Sequence, residues 1–312
     1  MPLLLTETDV RAVLTMPDLI AAMEKALETF SSGAVVQPVR TVLDIADHHA
    51  FFGLMPAYVL SAKGSAPALG AKLVTVYHRN LERGLPSHLA TIVLLDPETG
   101  ALSAIVDGRY ITEARTAAVS AVSVKKLARS DARVLAILGS GVQANSHFEA
   151  LAHVRRFEEV RVWSPTRANL DAFAAATGAR AMTSAEAAVR GADVIVLVTA
   201  SATPVIENGW VTNGAHVISV GACRPTQQEM DPALVSRSRL FVDSRAAAVK
   251  ESGDVIAAGE NHIVAELGDP AAARRGPEEV TVFKSLGLAV EDVVSANLAL
   301  ERAIQQNRGT TI

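Results

Sequence analysis

The chain is predicted to fold as an α/β protein in two parts, on three observations. Its 312 residues exceed the roughly 100–200 of a typical domain and suit two. The first third strings strand-like stretches together without helices between them, whereas the middle alternates short apolar strands with helices. A glycine-rich turn, Gly139-Ser-Gly141-Val-Gln-Ala144, stands at one strand-to-helix junction of the alternating part. Together these indicate a doubly wound parallel sheet plus a smaller α+β part.

Residues 18–30 place Leu19, Ile20, Met23, Leu27 and Phe30 at helical spacing, and Ser31-Ser32-Gly33 stops that helix. Strand-like stretches follow at 37–45, 71–78 and 90–95, and Asp96-Pro-Glu-Thr-Gly100 is a hairpin signal leading into 101–106. An antiparallel meander with one flanking helix is the natural reading. From Thr112 a small-residue helical face of Ala114, Ala117, Ala118, Ala121 and Val122 runs to about Arg129. Strands are then expected at 134–138, 159–163, 194–198, 216–220 and 240–242, with helices to about residue 156, at 166–176 and at 184–190. Such alternation gives a parallel sheet covered on both faces. A last amphipathic helix at 287–304 carries Val290, Val293, Val294 and Leu298 on one face, and is expected to return to the first part. The expected domains are therefore residues 1–121 with 288–312, and residues 122–287.

The glycine turn carries the sharpest chemistry. Gly139 permits a tight turn after the apolar strand, Gly141 lets a pyrophosphate approach the backbone, and the small Ala144 lets the helix pack on the strand. The free N–H groups of the helix N-terminus then face an anion. This matches the fingerprint of a Rossmann-type dinucleotide-binding domain, the other reading being an ordinary glycine turn of an α/β protein. An NAD site commonly has a carboxylate at the end of the next strand, whereas here Ser164-Pro-Thr166-Arg167 follows Trp163. Hydroxyls and a guanidinium suit a 2′-phosphate, so NADP(H) is favoured, with NAD(H) also open. Ser164 and Thr166 equally suit a helix cap.

Three cations stand in awkward places. Arg115 falls in the first turn of the helix expected from Thr112, where a cation opposes the helix dipole unless an anion sits beside it; a solvated arginine is the other reading. Lys72 shares a strand face with Val74 and Val76, either protecting an edge strand or serving as a desolvated proton donor. Arg40 lies opposite the face of Val39, Leu43 and Ile45 and reads as solvated.

The composition narrows the function classes. Twenty-nine basic against thirty-three acidic residues give a net charge of −4, with no basic block to attract nucleic acid or an anionic membrane. The one cysteine, Cys223, cannot form a disulfide within the chain, which fits a reducing compartment. No apolar run approaches the ~20 residues of a spanning helix, and Met1-Pro-Leu-Leu-Leu5 lacks the basic start of an export signal. A cytoplasmic location is the expectation. The histidines, His48-His49 included, show no metal-ligand spacing, and no Gly-x-Ser-x-Gly elbow supports a serine hydrolase.

Taken together, the chain resembles the ornithine cyclodeaminase/mu-crystallin family, and within it the mu-crystallin branch. The likeness rests on Gln37-Pro-Val-Arg-Thr41, Met55-Pro-Ala-Tyr58, Lys72-Leu-Val-Thr75, Pro86-Ser-His88 and Arg115-Thr-Ala-Ala-Val-Ser-Ala121. It continues through the glycine turn, Val220-Gly-Ala-Cys-Arg-Pro225, Val242-Asp-Ser244, Lys250-Glu-Ser-Gly-Asp254 and Thr281-Val-Phe-Lys-Ser-Leu-Gly287. The resemblance implies a homodimer formed through the first part, with Arg40, Lys72, Arg115 and Leu286 at the substrate. It also implies Ser87, Thr116, Val142, Gln143, Thr199, Val220 and Ser285 at the nicotinamide dinucleotide.

One departure redirects the implied chemistry. Cyclodeaminases of this family carry an aspartate where this chain has Cys223 followed by Arg224. A thiol cannot stand in for a carboxylate as the partner of an ammonium. The resemblance therefore implies NAD(P)H-dependent reduction of carboxylate-bearing ketimines or imino acids, with Lys72 serving the imine nitrogen and Arg40 and Arg115 the carboxylate. Read backwards this is an amino-acid dehydrogenase. Two other readings stay open: a deaminating cyclase, and a catalytically idle protein that binds a ligand with NADPH. Cys223 is expected to line or pack the pocket, with a nucleophilic role also open.

Overall fold

The computed structural model describes residues 1–61 and 66–312. The chain begins with β1 (Leu3–Leu5), α1 (Glu7–Val13), α2 (Met16–Ser31), β2 (Val35–Val36), β3 (Thr41–Ile45), β4 (Ala50–Val59), β5 (Ala68–Tyr77), β6 (His88–Leu95) and β7 (Leu102–Asp107). The long α3 (Arg109–Leu127) follows, then β8 (Val134–Leu138), α4 (Val142–Ala152), β9 (Glu159–Trp163), α5 (Arg167–Thr177), β10 (Arg180–Ala181), α6 (Ala185–Val189) and β11 (Val194–Leu197). The remainder is β12 (His216–Ser219), α7 (Pro232–Arg237), β13 (Arg239–Val242), α8 (Arg245–Glu251), α9 (Gly253–Ala258), β14 (Ile263–Glu266), β15 (Thr281–Lys284), α10 (Ala289–Gln305) and β16 (Thr310–Thr311).

Two compact units result: residues 1–115 with 288–312, and residues 116–287. The first division falls inside α3, between Arg115 and Thr116, rather than after residue 121. The helix is continuous there, so no turn signal marks the division in the sequence.

The first unit is a sheet ordered β16-β1-β7-β6-β5-β4-β2, with β3 also on β4. Consecutive strands from β4 to β7 pair antiparallel, giving the expected meander, while β1 runs parallel to β7. β4 was absent from the sequence expectation because Pro56 and Gly53 interrupt it. Pro56 is tolerated because β3 pairs with β4 only as far as Leu54 and β2 begins at Tyr58, so no ladder partner awaits its missing N–H on that side. Along β5 the period-2 pattern buries Ala68, Gly70, Lys72 and Val74 and leaves their neighbours half-buried. α10 covers the buried face: a Cβ on Gly70 would lie 3.4 Å from Val293 Cγ2 and 2.6 Å from the Val93 carbonyl oxygen, so glycine is what admits both. Leu54, Leu73, Leu89, Val93 and Ile105 line the opposite face, which the described residues leave half-buried to exposed.

The second unit is a parallel sheet in the order β10-β9-β8-β11-β12-β15-β13-β14. β8 and β11 are wholly apolar runs at the centre of this sheet, buried except for the half-buried Val134, the signature of strands covered on both faces. The order reverses between β8 and β11, and ligands of such sheets bind outside the carboxyl ends of the strands at that switch point.

Candidate functional site

In the first unit, β5 is the place to begin. It pairs with β4 on one side and β6 on the other, so Lys72 is not protecting an edge. Its side chain is 2% exposed, and its ammonium forms an ion pair with Asp292 Oδ2 at 2.5 Å. Arg115 Nε donates to the other oxygen of Asp292 at 3.0 Å, and Arg115 Nη1 donates to Glu291 Oε2 at 2.7 Å. Both carboxylates are fully buried in the first turn of α10, where the helix N-terminus favours negative charge. α3 begins at Arg109, so Arg115 sits in its second turn and the dipole conflict expected from the sequence does not arise. What holds the guanidinium is the Glu291–Asp292 pair, 176 and 177 residues away in sequence.

The charges tune one another. Burial lowers the Lys72 pKa to about 8; Arg115 and the half-buried Arg40 push the same way, and Asp292 opposes them. Arg40 is therefore within electrostatic reach of the cluster rather than a solvated bystander. Burial works against ionising Asp292, but Arg115 and Lys72 outweigh it and hold its carboxyl below the usual range. His88, half-buried on the same sheet face, is pushed to about 4 by burial and then by the cations of Lys72 and Arg115, and stays neutral at physiological pH. Its neighbour Ser87 is half-buried and accepts from Tyr77 N–H through its carbonyl at 2.8 Å.

In the second unit, the glycine turn has the geometry its sequence implies. Gly139 has φ +117°, and a Cβ there would lie 2.8 Å from the Val198 carbonyl oxygen. Above Gly141 the space is open: a Cβ would meet nothing within 4 Å. Gly141 opens α4 with no side chain capping it, and Ala144 is fully buried against the sheet. Val142 stands 52% exposed, an apolar side chain at a helix start, and the buried Gln143 Oε1 has no hydrogen-bond partner among the described residues. An open glycine cradle, an uncapped helix N-terminus, an exposed valine and an orphaned acceptor all fit a dinucleotide.

At the end of β9, Ser164 is half-buried while Thr166 and Arg167 are exposed. Thr166 precedes α5, yet its hydroxyl makes no capping bond, so the capping reading of that residue does not hold. Arg167 Nε bonds Asp171 at 2.8 Å one turn on. Thr116, Val220, Ser285 and Leu286 are buried, and Thr199 N–H and hydroxyl both bond Glu229. The Cys223 thiol donates to the Val220 carbonyl at 3.1 Å, tying its own turn.

The sequence reading missed Glu291 and Asp292 in the first unit and Glu229, Asp243, Asp254 and Lys284 in the second. The signal for the first pair was present: two acids interrupt the apolar run from Leu286 to Val294. Acids in a first helical turn are ordinarily solvated, and that hid them. Among the described residues no group of three or more His, Cys, Asp or Glu is arranged to hold a metal, and no helix is long and apolar enough to cross a membrane.

A parallel sheet reversing at a glycine turn gives the second unit a Rossmann fold, and the first unit buries a lysine and an arginine against two carboxylates. The chain belongs to the ornithine cyclodeaminase/mu-crystallin family, whose model matches residues 1–307. It is 46% identical to the ketimine reductase mu-crystallin of Rattus norvegicus over 290 residues, 91% of each chain. The solved Delta(1)-pyrroline-2-carboxylate reductase of Thermococcus litoralis, in complex with NADH and L-proline, matches with a TM-score of 0.93 at 35% identity, covering 99% of this chain and 100% of that one. An archaeal alanine dehydrogenase dimer with bound NAD matches with a TM-score of 0.93 at 30% identity, covering 100% and 98%.

The buried cluster makes a stability prediction. Asp292→Ala leaves the cations of Lys72 and Arg115 without the anion between them, so unfolding in urea is expected to show a loss of about 3–5 kcal/mol. A loss below ~1 kcal/mol, within the range of an exposed pair, would contradict this account of the cluster.

Proposed function

We propose that this chain is an NAD(P)H-dependent reductase of carboxylate-bearing cyclic ketimines and related imino acids. One observation carries the reading: a fully buried lysine whose pKa is drawn to about 8, beside Arg115 and within reach of Arg40. Its similarity to ketimine and pyrroline-2-carboxylate reductases points the same way.

Arg115 and Arg40 hold the substrate carboxylate, the planar guanidinium matching its two oxygens. Lys72, protonated below its lowered pKa, donates a proton to the imine nitrogen while the imine carbon accepts hydride. One proton and one hydride convert C=N to CH–NH; reversed, the same steps oxidise an amino acid. Asp292 orients Lys72 and keeps its pKa from falling further. The bound nicotinamide supplies the hydride. Residues Gly139, Gly141, Val142 and Gln143 hold the pyrophosphate end, and Ser87, Thr116, Thr199, Val220 and Ser285 the rest, with Leu286 at the substrate. Ser164, Thr166 and Arg167 favour NADPH through the 2′-phosphate; the uncapped Thr166 hydroxyl supports this. With Cys223 in place of an aspartate, deaminating cyclisation is not proposed.

A homodimer is part of the same reading. The open apolar face of Leu54, Leu73, Leu89, Val93 and Ile105 is a sheet face that a second copy would cover, and an alanine dehydrogenase of the same fold is a dimer.

Oxidation of NADPH with piperideine-2-carboxylate is expected, its kcat falling above about pH 8 as Lys72 loses its proton. In Lys72→Met kcat drops by roughly 10²–10⁴, and in Asp292→Asn the alkaline limb moves to lower pH, because the anion that raised the Lys72 pKa is gone. A wild-type-like rate in Lys72→Met sinks the assignment. Arg167→Ala is expected to raise KM for NADPH about tenfold while leaving that for NADH unchanged; equal changes would refute the 2′-phosphate argument. Leu73→Glu should convert a dimer to a monomer in light scattering; an unchanged mass would place the subunit contact elsewhere.

A further inference from the structure

The carboxyl ends of β11, β12 and β15 are tied together by charges that lie inside the protein. Glu229 is fully buried and belongs to no helix or strand. Its Oε1 accepts from Thr199 N–H at 2.6 Å and from Thr199 hydroxyl at 2.8 Å. Its Oε2 accepts from Ser219 hydroxyl at 2.8 Å, Gly221 N–H at 2.9 Å and Ala222 N–H at 3.3 Å. One carboxylate therefore satisfies the backbone of two different turns, those after β11 and after β12. The turns also touch directly: a Cβ on Gly221 would fall 1.7 Å from the Thr199 carbonyl oxygen, so only glycine allows the approach.

A second carboxylate and one ammonium complete the arrangement. Asp254 Oδ1 accepts from the N–H groups of Glu229 and Met230 at 2.8 and 2.9 Å, fixing the backbone from which Glu229 projects. Lys284, fully buried at the end of β15, lies 3.2 Å from Asp254 Oδ2 and donates to Ser219 Oγ at 2.9 Å. Ser219 thus links the ammonium to Glu229. Burying two carboxylates and an ammonium is costly, and a single turn could be closed by neutral groups. The expenditure is understandable where the relative placement of two turns matters.

We infer that Glu229, anchored by Asp254 and Lys284, is a positioning residue for the dinucleotide: it fixes Thr199 and the Val220–Ala222 turn against each other so that both meet the bound cofactor in one geometry. The inference rests on the dinucleotide reading above. Glu229 does not touch the cofactor; it acts through the backbone N–H groups it holds. A glutamine has one acceptor oxygen where the carboxylate has two, so Glu229→Gln turns an amide NH₂ toward donors on one of the two turns.

Calorimetric titration with NADPH, in the absence of any imine, tests it on the full-length protein. Glu229→Gln is expected to bind NADPH about tenfold or more weakly, as the loss of a charge-assisted hydrogen bond predicts. KM for NADPH should rise by the same factor, while KM for piperideine-2-carboxylate stays within about twofold, a split that general loosening of the fold would not produce. Should Glu229→Gln fail to fold, Ser219→Ala removes one donor and the link to Lys284, and a roughly threefold weaker NADPH complex is expected. Wild-type affinity in either folded variant would overturn the inference alone. Binding of neither NADPH nor NADH by the wild-type protein would overturn the dinucleotide reading and this inference with it; if only NADH binds, the same comparison of variants is made with NADH.

Discussion

An ammonium moved out of water loses hydration worth several kcal/mol, and Lys72 is held where that loss is nearly complete. Its position in a central strand is tolerable only because Asp292 meets it from the first turn of α10. The same carboxylate meets Arg115 from α3, and Glu291 takes the rest of that guanidinium. Three elements distant in sequence are thereby fixed by charge in a region that apolar packing alone would have filled. The lysine emerges with a pKa near neutrality, the property that a proton donor working at physiological pH requires.

The second unit solves a related problem with the sign reversed. Among the described residues its buried charged groups are three carboxylates, Glu229, Asp243 and Asp254, against one ammonium, Lys284, and the carboxylates accept from backbone N–H groups where strands end and turns begin. Asp243 accepts from Leu286 and Gly287 N–H through Oδ2, at 2.5 and 2.7 Å, and from Ser244 N–H through Oδ1, at 2.8 Å. Glu229 does the same for the turns after β11 and β12. Loops that must present backbone to a ligand have few ladder partners of their own, and a carboxylate supplies them without adding bulk at the surface.

How much of this was legible in the sequence differs by feature. Five of the eight strands described in the second unit's sheet were visible, most clearly where burial on both faces writes an uninterrupted apolar run, as in Val134–Leu138 and Val194–Leu197; β10, β14 and β15 were not. The glycine turn was legible because its role is conformational and local. β4 was not, since Pro56 argues against a strand and only the gap between β2 and β3 permits it. Lys72 and Arg115 were legible as cations in odd positions and Arg40 only through the family resemblance, but the carboxylates that meet Lys72 and Arg115 were not. Glu291 and Asp292 look like ordinary first-turn acids, and nothing local says that a strand more than 200 residues upstream will bring a lysine to them. Pairings of that range are set by topology, which a linear pattern does not encode.

Proton donation at this site depends on the charge state of one side chain, Lys72. Heteronuclear NMR on protein carrying ¹⁵N-labelled lysine, followed through pH, would report the Lys72 ammonium directly, with Lys72→Met assigning the signal. A titration centred near 8 is the predicted result. A midpoint at the ordinary 10.5 of an unperturbed lysine would contradict it, because burial and the neighbouring guanidinium groups would then not be acting on that group.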